Sequence, residues 1–243
     1  MSRRPRRQLS PEAWGGLMPL DRAKKIIGSL LSTTTKMPGY SYNLSARKCI
    51  IGSKLRNVEN SVCAKCYAFR GCYQYPVVQK SMARHLKAIR HPDWVPAMAT
   101  MINWWCRAVP YFRWHDSGDL QSVQHFKRIN DIARLTPIVC HWIPTREVEI
   151  IRTYRRYYVV APNVCVRISE PMIRESTLQG THFRVQPITS GVVPRRPKEI
   201  WKKLVQTNTN EIFHCPASLQ DDECKTCRAC WQRGVKHVVY PQK

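Results

Sequence analysis

Seven cysteines in this chain stand at spacings that suit metal chemistry. In "CPASLQDDECKTCRACW", Cys224, Cys227 and Cys230 recur every third residue, and Cys215, followed by Pro216, lies nine positions upstream. A chain wrapping a cubic iron-sulfur core presents thiolates at that interval, with a more remote Cys-Pro ligand, whereas zinc sites usually take two CxxC knuckles set well apart. The triple run favours iron and sulfur over zinc. A second set lies in "SVCAKCYAFRGCY", where Cys63 and Cys66 form a CxxC and Cys49 waits upstream at the end of a short strand. Three thiolates would leave one iron of a cluster open to a small molecule; alternatively Cys72 closes the site as a fourth ligand. A thioredoxin-like role for Cys63 and Cys66 does not suit the context, because such motifs open a helix directly after a strand. Cys106, Cys140 and Cys165 fall inside helix or strand patterns and read as small hydrophobes.

Eleven cysteines in 243 residues are not needed as staples, since a chain of this length buries a full core. The odd number also pairs badly. The N-terminus is basic without an apolar signal-like region, and no run is long and apolar enough to span a bilayer. These features predict a reducing, cytoplasmic setting with no membrane partner. The formal net charge of +24 exceeds what solubility asks for and points to a polyanion. Two clusters would lower it only to about +21, which leaves a large surplus for phosphates.

The elements that must position the thiols divide into three segments. Residues 1–38 form a basic arm and helix, with Arg3, Arg4, Arg6 and Arg7 in a tail and a helical pattern in "LDRAKKIIGSLLS". Residues 39–194 alternate strands and helices: "YSYNL", "YFRWH", "PIVCHWI" and "NVCVRIS" read as strands, and "THFRVQP" as a further candidate. Helical spacing appears in "VVQKSMARHLKAIR", "WVPAMATMINWWCRAV", "QSVQHFKRINDIARL" and "EVEIIRTYRRYYV". That alternation predicts an α/β fold with a parallel sheet, most simply a partial, open TIM-type β/α barrel. Residues 195–243 hold a basic helix and the cysteine-rich tail.

Alternation within the strands carries more. Phe112 and Trp114 fall on one face and Arg113 and His115 on the other; Val164, Val166 and Ile168 likewise oppose Cys165, Arg167 and Ser169. An inward face this polar predicts an open lumen occupied by a ligand, unless Arg113 and Arg167 are paired with Asp116 or Glu170. The loops after these strands supply a candidate ligand or substrate rim of His115, Asp116, Asp119, Arg146, Glu147, Arg167 and Ser169, at the end where βα proteins place chemistry. Nucleic-acid candidates are the arginines of the tail, the "YRRYY" run (Tyr154, Arg155, Arg156, Tyr157), and Arg195, Arg196, Lys202 and Lys203 around "RRPKEIWKK". Aromatics interleaved with cations suit single strands.

"MPGYSYNLSARKC", "SVCAKCYA", "FRWHDSGDLQS", "HWIPTRE", "PNVCVRIS" and "CPA…CKTCRACW" together resemble the phage gene product eighty-eight family. They are also similar to a phage group described as radical-SAM-like. The resemblance implies a partial TIM barrel with one [4Fe-4S] cluster on Cys49, Cys63 and Cys66 and an auxiliary one on Cys215, Cys224, Cys227 and Cys230. Thirteen residues separate Cys49 from Cys63, where radical SAM enzymes show CxxxCxxC. Two functions follow as expectations. One is an iron-sulfur protein that binds single-stranded DNA or RNA, its clusters structural or redox-sensing. The other is a radical-SAM-like enzyme that modifies nucleic acid or a nucleotide, with S-adenosylmethionine as cofactor.

Overall fold

The computed structural model describes residues 17–34, 36–174 and 188–242. The arginines at positions 3, 4, 6 and 7 and the "THFRVQP" segment lie outside them. In chain order the elements are α1 (Leu20–Ile27), β1 (Ser32–Thr33), β2 (Tyr40–Tyr42), α2 (Ile50–Leu55), α3 (Pro76–Ala88), α4 (Trp94–Trp105), β3 (Tyr111–Trp114), α5 (Val123–Leu135), β4 (Cys140–Thr145), α6 (Val148–Tyr157), β5 (Val164–Ile173), β6 (Thr189–Val193), α7 (Lys198–Gln206), β7 (Ile212–His214) and β8 (His237–Pro241).

The predicted α/β class is present as one eight-stranded sheet in the order β1-β2-β3-β4-β5-β6-β8-β7. Every neighbouring pair from β2 onward is parallel, and only β1 runs antiparallel to its neighbour. Strands β2 to β6 follow one another without reversal, as in a β/α barrel, whereas a doubly wound sheet reverses its order at a switch point. Residues 195–243 contribute β7 and β8 and so complete the same sheet.

The two faces are covered differently. On the outer face Tyr42, Phe112, Trp114, Ile143, Val166 and Ile168 pack against helices α1, α4, α5 and α6 to form the main core. The helical patterns are legible because their apolar stripes meet this face; α5, for example, buries Phe126, Ile129, Ile132 and Ala133 and is capped by Ser122, whose hydroxyl accepts from the His125 N–H at 3.0 Å. On the inner face Trp142 packs with Ala229, Cys230, Trp231, Val235 and Val238. The chain's own tail therefore covers this face, and the expectation of an open polar lumen is corrected there. The Trp231 indole donates to the Phe112 carbonyl at 3.0 Å and its ring stands edge-on to Trp142 with centroids 5.1 Å apart.

The strand alternation held for Arg113 and Arg167, and failed for His115. Its φ of 56° lies in the left-handed region, which breaks the two-residue period and turns the ring toward α5, 5.3 Å from the His125 ring.

Candidate metal centres and basic surfaces

Cys49, Cys63 and Cys66 meet at the C-terminal rim of the sheet. Cys49 follows the turn Ala46–Lys48 and stands immediately before α2. The loop bearing Cys63 and Cys66 is docked on the bulged end of β5: Val62 N–H donates to the Pro171 carbonyl at 2.9 Å, and Ile173 N–H to the Asn60 carbonyl at 2.9 Å. Gly52 supplies the space between the sulfurs. A Cβ at that position would meet the Cys49 Cβ at 2.9 Å and stand 3.6 Å from both the Cys49 and Cys63 Sγ atoms. The two sulfurs thus flank one cradle that any side chain would fill. Cys66 acts electrostatically on both, while Cys72 is exposed and is not among the groups acting on either.

Asp119 and Arg146 act electrostatically on Cys49 and Cys63, and Glu147 on Cys63. The Asp119 carboxylate accepts from the Thr145 hydroxyl at 2.5 Å, the Arg146 N–H at 2.9 Å and the Leu120 N–H at 2.7 Å. Burial nevertheless pushes its pKa up to about 6. Glu147 accepts from the Ile51 N–H at 2.9 Å and so ties α2 to the end of β4. The Arg146 guanidinium faces Cys49 and Cys63, and its Nε is buried without a partner. As free thiols, Cys49 and Cys63 are held protonated by desolvation, which raises both.

The other rim residues go elsewhere. Asp116 pairs with Arg113 at 3.2 Å and accepts from the Tyr73 hydroxyl at 2.5 Å, while its backbone carbonyl accepts from Tyr67. Ser169 sits at the irregularity between β5 and β6. Gly118 between Asp116 and Asp119 has φ 87° and packs against Leu44, where a Cβ would stand 2.6 Å from the Leu44 Cβ.

Arg167 is not on a rim; it is completely buried. Its Nε donates to the Cys230 carbonyl at 3.0 Å, Nη1 to Thr189 at 3.2 Å, and Nη2 to Ala229, Gln232 and Val235 at 2.8, 2.9 and 2.9 Å. The guanidinium is spent on backbone carbonyls and fastens the tail to the inner face. It has no donor left for a ligand.

The second thiol group lies in that tail. Cys215 follows β7, and its N–H donates to the Val239 carbonyl at 2.9 Å; Cys224 N–H donates to Lys36 at 2.9 Å and Cys227 N–H to Cys224 at 2.8 Å. Asp221, Asp222 and Lys225 all hold positive φ, at 61°, 62° and 42°, so the loop is wound unusually tightly for residues other than glycine. Cys215, Cys224, Cys227 and Cys230 act electrostatically on one another. Burial raises the Cys215 and Cys224 thiols to about 12 and about 11. Arg113 and Arg167 both act on Cys230, whose Sγ is 3.2 Å from the Tyr240 hydroxyl. Among the described residues, no three His, Cys, Asp or Glu side chains are gathered closely enough to hold a single metal ion.

The basic candidates also separate. Tyr154 is fully buried against Phe126 and cannot stack on a base, whereas Tyr157 is 74% exposed and Arg155 and Arg156 face solvent. Arg195 and Arg196 line a groove of about 820 Å³ with Lys198 and the edge of Trp201, across from Asp221 and Asp222. Lys202 and Lys203 are exposed on α7. No described helix is long and apolar enough to cross a membrane.

Gly52, Tyr67, Tyr73 and Tyr240 were not among the site residues read from sequence. Gly52 carried a signal, since it stands three residues after Cys49; the tyrosines carried none, because only the fold brings them to Arg113 and Cys230. Comparison with curated proteins and with solved structures gives no match. Residues 20–233 match the family described as Gene product 88, and with most of its length covered the chain belongs to that family, the phage gene product family that its motifs resembled.

Proposed function

We propose that this is an iron-sulfur protein that binds single-stranded nucleic acid, with one cluster held by Cys49, Cys63 and Cys66 and another by Cys215, Cys224, Cys227 and Cys230. The observation that carries the cluster reading is Arg167, a fully buried cation whose hydrogen bonds all go to backbone carbonyls, lying with Arg113 beside a group of four thiols. A buried guanidinium costs several kcal/mol unless a countercharge accompanies it. Four neutral thiols provide none, and four metal-bound thiolates do. When bound, such clusters supply one-electron chemistry or structural cross-linking. The protein's share is to fix the thiols, bury them, and balance their charge.

The nucleic-acid part is supported by the net charge of +24, which the clusters leave largely intact. Protein purified without oxygen is expected to be brown and to hold close to eight irons. Colourless protein carrying zinc would remove both clusters from the reading. Affinity for a single strand is expected to fall steeply between low and moderate salt, and a flat response would remove the phosphate contacts.

Gly52→Ala tests the first site separately. The added methyl enters the cradle between Cys49 and Cys63, so iron content should drop from about eight to about four while the tail cluster's absorbance remains. Full iron in that variant would show that the cradle is not where a cluster sits.

Arg146 favours a second reading of the same site. An unpartnered guanidinium nitrogen beside the Cys49 and Cys63 thiols, at the strand ends, suits an anionic small molecule and therefore a radical-SAM-like enzyme acting on nucleic acid or a nucleotide. Formation of 5′-deoxyadenosine from S-adenosylmethionine under dithionite would select this reading; its absence from iron-replete protein would select the first.

A further inference from the structure

The end of the sheet opposite Cys49, Cys63 and Cys66 carries the most exposed apolar and aromatic side chains among the described residues. Ile138 and Val159, on the loops that enter β4 and β5, are 83% and 82% exposed, and Tyr157, the last residue of α6, is 74% exposed. These loops are tied down. The Asn163 side-chain amide donates to the carbonyls of Ala133, Thr136 and Val139 at 2.9, 3.0 and 2.9 Å, and Arg134 donates to the Val159 carbonyl at 2.7 Å. A rigid frame therefore presents the exposed side chains, so ordering them on contact costs little.

Cations ring the patch. Arg155 and Arg156 are exposed at the end of α6, and Arg233 reaches in from the tail to donate to the Pro162 carbonyl at 3.3 Å. Lys127 lies 5.8 Å from the centre of the Tyr158 ring. Asp131 is shared between Lys127 and Arg134, at 2.9 and 3.1 Å. Arg155 and Arg233 stand near enough to repel each other, which adds to the effect of burial in lowering Arg155. A like-charged pair held on a fixed frame is relieved when an anion settles between its members.

We infer that this end of the sheet, around Tyr157, Tyr158, Arg155, Arg156 and Arg233, is the surface that grips single-stranded nucleic acid. The inference rests on the nucleic-acid reading above and adds the place and the contacts. Forked guanidinium groups match phosphates, and exposed ring faces accept unpaired bases whatever their sequence. A lipid surface fits less well. The exposed aliphatic residues Ile138 and Val159 come singly from different loops and form no apolar helical face of the kind that lies in a bilayer interface.

The test is fluorescence anisotropy with labelled oligothymidylate and oligouridylate, on the anaerobically purified full chain. Tyr157→Ala should weaken binding about tenfold and Tyr157→Phe should restore it, as stacking on one ring implies. Arg156→Ala should lower the slope of log affinity against log salt by about 0.7, the share of one phosphate contact on a single strand. Lys25→Ala, a surface charge change on α1, should leave that slope alone. Strand binding that survives Tyr157→Ala and Arg156→Ala but is lost in Lys202→Ala/Lys203→Ala would move the interface to α7, overturning this surface while the nucleic-acid reading stands. Wild-type protein that binds neither strand would overturn both. Capture by phosphatidylserine vesicles in place of the strands would assign the patch to lipid and overturn it equally.

Discussion

Arg167→Ala is expected to destabilise the protein by about 3 to 5 kcal/mol, the range for breaking a buried, charged hydrogen-bond network from one side. The substitution leaves the buried carbonyls of Thr189, Ala229, Cys230 and Val235, and the part-buried one of Gln232, without their donor. It also frees the tail from the inner face, where Trp231 and Val235 pack on Trp142. Arg167→Lys should recover little, because a single ammonium cannot serve carbonyls arranged around a flat fork. Urea unfolding measures the loss, and hydrogen exchange locates it: amides of residues 224–240 should lose protection before those of α4 and α5. A change below about 1 kcal/mol would mean that the guanidinium does not hold the tail.

Acidification should begin to destabilise the protein near pH 6.5, well above the usual carboxylate range. Burial depresses the imidazoles of His85 and His237 to about 4 and of His125 and His141 to about 3, and sends His115 well below its ordinary value. Arg84, Arg167, Arg128 and Arg113 reinforce this at His85, His237, His125 and His115, respectively. The unfolded chain takes up protons below about pH 6.5 that the folded chain refuses, so these groups' contribution is complete above that pH and is lost as pH falls toward 4. Asp119 and Glu170 work the other way. Burial raises both to about 6, and the folded state gains as they take up protons between about pH 6 and 4. Five imidazoles against two carboxyls leave a net loss of about 4 kcal/mol per pH unit in that window, enough to exhaust an ordinary domain's stability within two or three units. Tryptophan fluorescence followed from pH 7 to 4 reports this directly, since Trp94 and Trp114 pack against His125, His115 and His141. An unchanged melting temperature between pH 7 and pH 5 would contradict it.

The helices and central strands were legible because their periodicity answers to a single apolar core. α3 to α6 and β3 and β5 each start or stop within a few residues of the patterns that suggested them. β4 begins later than its apolar run, at Cys140, because Pro137 and Ile138 precede the ladder. β7 and β8 were missed, being three and five residues long inside a segment whose cysteines and charges mask alternation. For the sites, spacing singled out Cys49, Cys63 and Cys66, and the loops after β3 and β4 singled out Asp119, Arg146 and Glu147; that they adjoin is a product of the fold. It could not show that the tail folds back under Arg113 and Arg167, since that depends on contacts such as Arg167 with Val235, 68 residues apart. Tyr154 illustrates the same limit: Arg155, Arg156 and Tyr157 after it on the helix are exposed, yet it faces Phe126.

The order β6-β8-β7 has a consequence for biosynthesis. As the ribosome extends the chain, β7 emerges with no sheet neighbour of its own, and β6 keeps one edge unpaired until β8 slides between them. Cys215, Cys224, Cys227 and Cys230 are all translated inside that interval. All four precede the final strand, and of them Cys230 ends buried once that strand has paired.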